Sequence, residues 1–542
     1  MRTVIIRIIF IPATLLLLAL LITIASNDPR FESMRLLSQA MFLVDKYASA
    51  ETEPEDLFNS AWNGMSDILD PHTTFIPAES YRFVEEESQG SFQGIGVEIT
   101  VRDGLVTVIA PIAGSHAEEV GLRPGDQVIS VDSVDVTDMP SDEVTSRIRG
   151  PAGTTVLIRI KRPGMKDPFE VEIERRNVEI SSVLYSGVAD SIGYIHLARF
   201  SLTSPYEFSD ALERLIHEGI KGLVIDLRGN PGGFMSGAVF IAGLFLPDDK
   251  LVVATKSRLD WESYSINTTN DGPLLNMPLA VLVSSGSASA SEIVSGALQD
   301  HDRAVVIGDT TFGKGLVQSN IMLPDGNAFR VTTSKYYLPS GRLIQKFADA
   351  DWAENMQISR EEMNTSYRTD AGRSVHGGGG IAPDIPMPPP DISILSTMLT
   401  YGNYFFQFTI DYRALHGDSI PEIVTDEMIE KFKSYVYEKG FEYPNFIHER
   451  LDSLRMELAS IENSDANAIF ERIRKRAESI EEDEWEESRE FIKDRLCERF
   501  ANMRGGRDEV YRTCRLKNDK QIITAIEIVS DTSVYNMILR PE

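Results

Sequence analysis

Apolar residues recur at helical spacing over residues 31–80, through Met34, Leu37, Met41, Val44 and Tyr47 and then Leu57, Trp62, Met65 and Leu69. The pattern stops at Asp70-Pro71-His72, so residues 27–82 are expected to form a helical N-terminal region. From 83 to 177 the texture changes to short β-branched runs between glycines. Strands are predicted at 97–99, 105–109, 127–131 and 156–160, with helices at 117–120 and 142–148. Residues 178–390 alternate apolar strands, at 192–197, 222–227, 279–283 and 304–308, with helices near 205–217, 234–246 and 290–298. A polar insertion over 346–380 ends in four glycines, and the proline-rich 383–390 makes a stiff stop. Residues 391–542 read as helical and charged, and no internal repeat is present. The whole is an α+β multidomain chain: a β-sandwich-like module and an α/β core between helical N- and C-terminal regions.

Residues 8–25 form an uncharged, mostly apolar run entered past Arg2 and Arg7. This is the pattern of an export signal, and it is also long enough to span a bilayer as a helix. Residues 1–26 are therefore a signal peptide or a signal anchor, with membrane attachment through 4–25 in the second case. The rest of the chain is expected on the far side of a membrane.

Composition narrows the chemistry by exclusion. At 542 residues, 42 % hydrophobic and 25 % charged, the chain can bury a large core. The balance of 53 basic and 82 acidic residues gives −29, which argues against nucleic acid as a partner. Cys497 and Cys514 form either one disulfide or two buried thiols. Eight histidines fall in no HExxH pattern and there is no CxxC, so neither a metal nor a cofactor is expected.

Three segments of the α/β region carry candidate chemistry. Asp226-Leu227-Arg228-Gly229-Asn230-Pro231-Gly232-Gly233 leads a strand into a glycine-rich loop before a helix, a setting that presents backbone N–H groups to an anion or oxyanion. Ser284-Ser285-Gly286-Ser287-Ala288-Ser289-Ala290-Ser291 follows a buried strand and opens a helix. That repeats the logic of a nucleophile elbow without the GxSxG spelling. The third, Gly308-Asp309-Thr310-Thr311-Phe312-Gly313-Lys314-Gly315, matches GxxxxGK but fails as a phosphate loop. Gly315 stands where Ser or Thr should bind magnesium, and Leu316-Val317 continues as strand rather than helix. A lysine in such a glycine-lined, apolar setting suits a base that activates a serine hydroxyl.

These segments resemble the tail-specific, or carboxy-terminal processing, serine peptidases, which carry a PDZ domain. The resemblance extends through Leu69-Asp70-Pro71-His72, Phe92-Gln93-Gly94-Ile95-Gly96-Val97, Gly121-Leu122-Arg123-Pro124-Gly125-Asp126, Tyr336-Tyr337-Leu338-Pro339-Ser340-Gly341-Arg342 and Ile381-Ala382-Pro383-Asp384. It implies Ser289 as nucleophile, Lys314 as base and Gln318 as the group that holds the lysine amine. It also implies an oxyanion hole from the N–H groups of Ala290 and Gly233, and makes His301 a bystander. Residues 83–177 would be the PDZ domain, with Gly94, Ile95, Gly96 and Val97 receiving a substrate's C-terminal carboxylate, and 178–390 the peptidase core. The implied function is a serine endopeptidase of the envelope acting on proteins or peptides with accessible C-termini through an acyl-enzyme. The alternative is an inactive PDZ scaffold or adaptor. Residues 391–542 have no counterpart in the pattern, and four roles stay open for them: oligomerisation, limiting substrate access, binding an adaptor, or a helical cap on the catalytic domain.

Overall fold

The computed structural model describes residues 29–50, 53–66, 68–269, 272–346, 365–443, 450, 453–454 and 464–540. The expected leader, 1–26, lies outside them, as does most of the polar insertion after Lys346. The chain divides into two compact units. One comprises Met1–Tyr81, Gln318–Thr333 and Asp349–Gln357, and the other Arg82–Val317, Ser334–Ala348 and Ile358–Glu542.

In the smaller unit the predicted helices are Pro29–Tyr47 and Pro54–Ser66. The expected all-helical region nevertheless contains a strand, Thr74–Ile76, which pairs antiparallel with the start of Ala328–Tyr337. Phe58, Trp62, Phe75 and Phe329 form its aromatic centre, with ring centroids 3.9–6.1 Å apart. The Asp70 carboxylate ends the helical pattern by accepting from the N–H of His72 and Thr73 and from the hydroxyls of Thr73 and Thr332. A further helix, Ala78–Gln89, runs through the boundary expected at residue 82.

In the larger unit, strands Val97–Arg102, Leu105–Pro111, Gln127–Val131, Thr155–Lys161 and Phe169–Glu174 make an antiparallel sheet, with Val97–Arg102 at its edge. Helices His116–Glu119 and Ser141–Ile148 close its core around Val128, Val156, Ile158 and Ile173.

The second sheet runs Val183–Ala189, Ile192–Leu197, Gly222–Asp226, Leu279–Val283, Val305–Gly308 and Ile385–Pro386, parallel after the first pair. Its central strands are buried on both faces, as parallel strands require. Leu223, Ile225, Val281, Val283 and Val306 face the helices Ser204–His217, Met235–Gly243 and Ala290–Asp300. Val224, Ala280, Leu282, Val305 and Ile307 face Ile522, Ala525, Ile526 and Val529 of Lys520–Ser530. The last helices of the chain therefore form the second helical layer of the α/β core, an arrangement that the helical-cap reading of 391–542 allows. The helices before them share their own core around Phe405, Phe432, Trp485, Leu496 and Phe500. Cys497 and Cys514 are disulfide-bonded, their Cα atoms 6.3 Å apart, which settles the choice the sequence left open.

Candidate active site

The serine-rich run folds as a sharp turn between Leu279–Val283 and Ala290–Asp300. Three of its serines bind the neighbouring glycine loop. Ser284 Oγ accepts from Gly229 N at 3.0 Å, Ser287 Oγ donates to Leu227 O at 2.7 Å, and Ser291 Oγ donates to Asn230 O at 2.9 Å. Ser289 takes no part in these ties and is half-buried. Its backbone sits at φ 55°, ψ −113°, a strained conformation for a residue with a Cβ, costing about 1–3 kcal/mol. Such strain marks nucleophile elbows, where it throws the side chain clear of the helix that follows.

Asn230 shapes the glycine loop. Its Nδ2 donates to Leu197 O, its Oδ1 accepts from Gly232 N, and its carbonyl accepts from Ala288 N. Gly232 lies so close to the serine turn that a Cβ there would stand 2.8 Å from Ser289 Cβ and 2.9 Å from Ala290 N. Phe200 donates to Gly232 O and accepts from Phe234 N, a parallel bridge that turns the Gly233 N–H to the opposite side. Ala290 opens its helix, so its N–H has no acceptor within that helix. The N–H of Gly232 is engaged by Asn230, which leaves Gly233 the better-disposed donor of the glycine pair.

Lys314 comes to the same turn through two residues that carried no assigned role in the sequence reading. The fully buried Glu292 carboxylate accepts from Ser289 N at 2.8 Å, Lys314 N at 2.9 Å, Gly313 N at 2.7 Å and Thr311 Oγ1 at 2.6 Å. Burial pushes its carboxyl up to about 7 against the pull of those four donors. On the other side, the buried Tyr336 hydroxyl lies 2.6 Å from Lys314 O and 3.2 Å from Ser289 O. One carboxylate thus joins the N–H groups of Ser289 and Lys314, and one phenol joins their carbonyls. Glu292 was legible as a capping-box acid, since Ser289-Ala290-Ser291-Glu292 has the S-x-x-E spacing. Tyr336 had no local signal.

Gln318 belongs to the smaller unit, where its amide NH2 donates to His72 O at 2.8 Å. The strand that carries it, Leu316–Met322, starts two residues after Lys314. His301 has both ring nitrogens engaged, by Asp370 Oδ2 at 2.9 Å and Leu251 O at 2.8 Å, which suits a structural role. In the first sheet, the carbonyls of Ile95 and Gly96 accept from Ala117 N and Ile112 N, and Ser115 Oγ also binds Gly96 O. These bonds anchor the Gly94-Ile95-Gly96-Val97 turn by its carbonyl side. Gly96 has φ +82°, and a Cβ there would meet Ser115 Cβ at 2.2 Å.

Residues 191–351 match peptidase family S41, residues 107–162 a PDZ domain, and residues 395–529 the C-terminal helical domain of probable PDZ-proteases. The last match supplies the counterpart that the sequence reading lacked for the region after 391. A carboxy-terminal-processing protease of Bartonella bacilliformis is 34 % identical over 341 residues, 62 % of this chain and 78 % of that one. A carboxyl-terminal-processing protease of Synechocystis sp. is 37 % identical over 298 residues, 54 % of this chain and 69 % of that one. Among solved structures, a photosystem II D1 C-terminal processing protease aligns with 66 % of this chain and 93 % of its own, at 25 % identity and a TM-score of 0.36. With its turn of serines, its glycine loop and its lysine gathered on one α/β core, the chain belongs to the carboxy-terminal-processing proteases of peptidase family S41.

Proposed function

We propose that this peptidase is a serine endopeptidase of the cell envelope. In this reading its PDZ domain captures a substrate's C-terminus, and its Ser289–Lys314 dyad cleaves peptide bonds through an acyl-enzyme. The observation that carries the reading is the double bridge: Glu292 and Tyr336 each bind the backbone of both Ser289 and Lys314, at a serine already held in the elbow conformation.

In this mechanism the neutral Lys314 amine takes the Ser289 proton as Oγ attacks the scissile carbonyl. The N–H groups of Ala290 and Gly233 receive the developing oxyanion. Collapse of the tetrahedral intermediate breaks the C–N bond, and the lysine ammonium returns its proton to the leaving amine. Water then hydrolyses the ester, with Lys314 again as base. Gln318 is the proposed orienting partner of the lysine, on the family resemblance alone.

Substrate capture is assigned to Gly94, Ile95, Gly96 and Val97, beside a strand at the sheet edge that a peptide can extend. The Cys497–Cys514 disulfide supports an oxidising compartment, consistent with the export signal expected in residues 1–26.

Incubation of casein, an unstructured protein, with the wild type and with Ser289→Ala tests the reading, with a C-terminal peptide supplied as activator. Fragments from the wild type alone are expected. An inert wild type under every condition would remove the enzyme reading, and equal fragmentation by Ser289→Ala would remove the nucleophile.

A further inference from the structure

Behind the glycine loop, the Gly222–Asp226 strand ends in a buried ionic cluster that reaches across to the C-terminal helices. Asp226 is 2 % exposed and accepts from Arg228 Nη2 at 2.6 Å, Arg228 Nε at 3.0 Å and the Tyr194 hydroxyl at 2.6 Å. Burial would raise its carboxyl, but the adjoining guanidinium holds it well below the usual carboxylate range, so the pair is ionic. The remaining nitrogen of that guanidinium, Nη1, donates to Asp519 Oδ2 at 2.8 Å and to Gln521 Oε1 at 2.7 Å. Both acceptors are fixed in turn. Asp519 caps the Lys520–Ser530 helix through Gln521 N and Ile522 N, and Gln521 Nε2 donates to Met387 O.

We propose that Asp519 and Gln521 are positioning residues for peptide hydrolysis: they hold Arg228, and through it the entry to the Gly229–Gly233 loop, so that the Gly233 N–H stays aimed at the oxyanion. This rests on the reading of that loop as one side of the oxyanion hole.

Arg228 is the residue at which the strand becomes the loop. Its bonds to Asp226 are local, two residues back, and cannot by themselves fix where the loop lies. Further along, the loop is tied to the serine turn by Ser284, Ser287 and Ser291, and to the Leu197–Phe200 segment by Asn230 Nδ2 and the Phe200–Gly233 bridge. None of these ties comes from the C-terminal helical layer, and none acts at Arg228, where the loop begins. Asp519 and Gln521 hold the guanidinium from the opposite helical layer, 291 and 293 residues away in sequence. The C-terminal helices thereby act on the reaction through a specific contact in addition to covering the sheet.

Asp519→Asn separates the two roles of Asp519, because asparagine caps a helix as well as aspartate does but brings no charge to Arg228. In the full-length protein, Asp519→Asn is expected to lower kcat for a peptide substrate by about 5- to 50-fold. KM should stay within about twofold and the melting temperature near the wild-type value. Asp519→Asn/Gln521→Ala should lower kcat further, and Asp519→Glu on the same scaffold should recover part of it by restoring the charge. An unchanged kcat in both Asp519→Asn and the double variant would overturn the proposal. So would a kcat loss that disappears when the assay is run well below the melting temperature. Ser289→Ala in the same assay separates this proposal from the reading it rests on. If Ser289→Ala is inert while Asp519→Asn is fully active, the dyad stands and the positioning role falls. If Ser289→Ala is active, the dyad itself falls.

Discussion

Lys314→Ala is expected to lower kcat for peptide hydrolysis by about three to five orders of magnitude while leaving the protein folded. The ties that assemble the site run through the lysine backbone, its N–H to Glu292 and its carbonyl to Tyr336, and both survive loss of the side chain. Activity therefore falls because the base is gone. Lys314→Arg is the informative companion: a guanidinium keeps the charge but stays protonated at any assay pH, so it cannot accept the Ser289 proton. It should be as inert as the alanine variant. Substantial activity in Lys314→Arg would mean that the lysine works as a fixed positive charge, and the base would have to be sought elsewhere. Parallel melting curves establish that both variants remain folded.

Glu292 is the second position of large effect. Glu292→Ala leaves three backbone N–H groups and the Thr311 hydroxyl without their buried acceptor. At about 1 kcal/mol or more for each orphaned donor, a loss of about 3–5 kcal/mol is expected. Loosening the nucleophile against the base should cost about 100-fold or more in kcat.

The pH dependence follows from the carboxyl being raised from 4.5 in the unfolded chain to about 7 in the fold. A raised folded value means that the folded state holds the proton more tightly. The associated stability is fully present below the unfolded value and is lost as pH rises through about 7, by about 3 kcal/mol in total. Activity should move the opposite way over that window. Each carboxylate oxygen accepts two donors, so a proton on either one would face an N–H or O–H and weaken the bridge. Denaturant melts of wild type and Glu292→Gln from pH 4 to 8 check this: their stability difference should change across the window. A difference independent of pH would show that Glu292 does not titrate there.

Most of the catalytic core was legible as apolar runs. Strands 192–197 and 279–283 fall where the pattern placed them, and the helix expected from 290 begins at Ala290. The three chemical segments were legible because each couples glycine or serine to a strand end, where backbone geometry restricts the choice of residue. What escaped was set by distant parts of the chain. The uninterrupted Leu279-Ala280-Val281-Leu282-Val283 run already implied cover on both faces, but nothing local named Ile522, Ala525 and Val529 as the second cover. The Asp519–Arg228 contact joins residues 291 positions apart and leaves no periodic trace. The boundary expected near residue 82 falls inside the helix Ala78–Gln89, whose polar sequence with no buried residue gives few apolar positions to mark that helix.

The most direct measurement is the identity of the residue that carries the acyl group. The wild type is mixed with a peptide p-nitrophenyl ester and quenched in acid after the nitrophenolate burst, then digested and mapped by mass spectrometry. One acyl adduct is expected, on the peptide containing Ser289, and none in Lys314→Ala. An adduct on another residue, or an equal adduct at Ser289 without the lysine, would contradict the dyad.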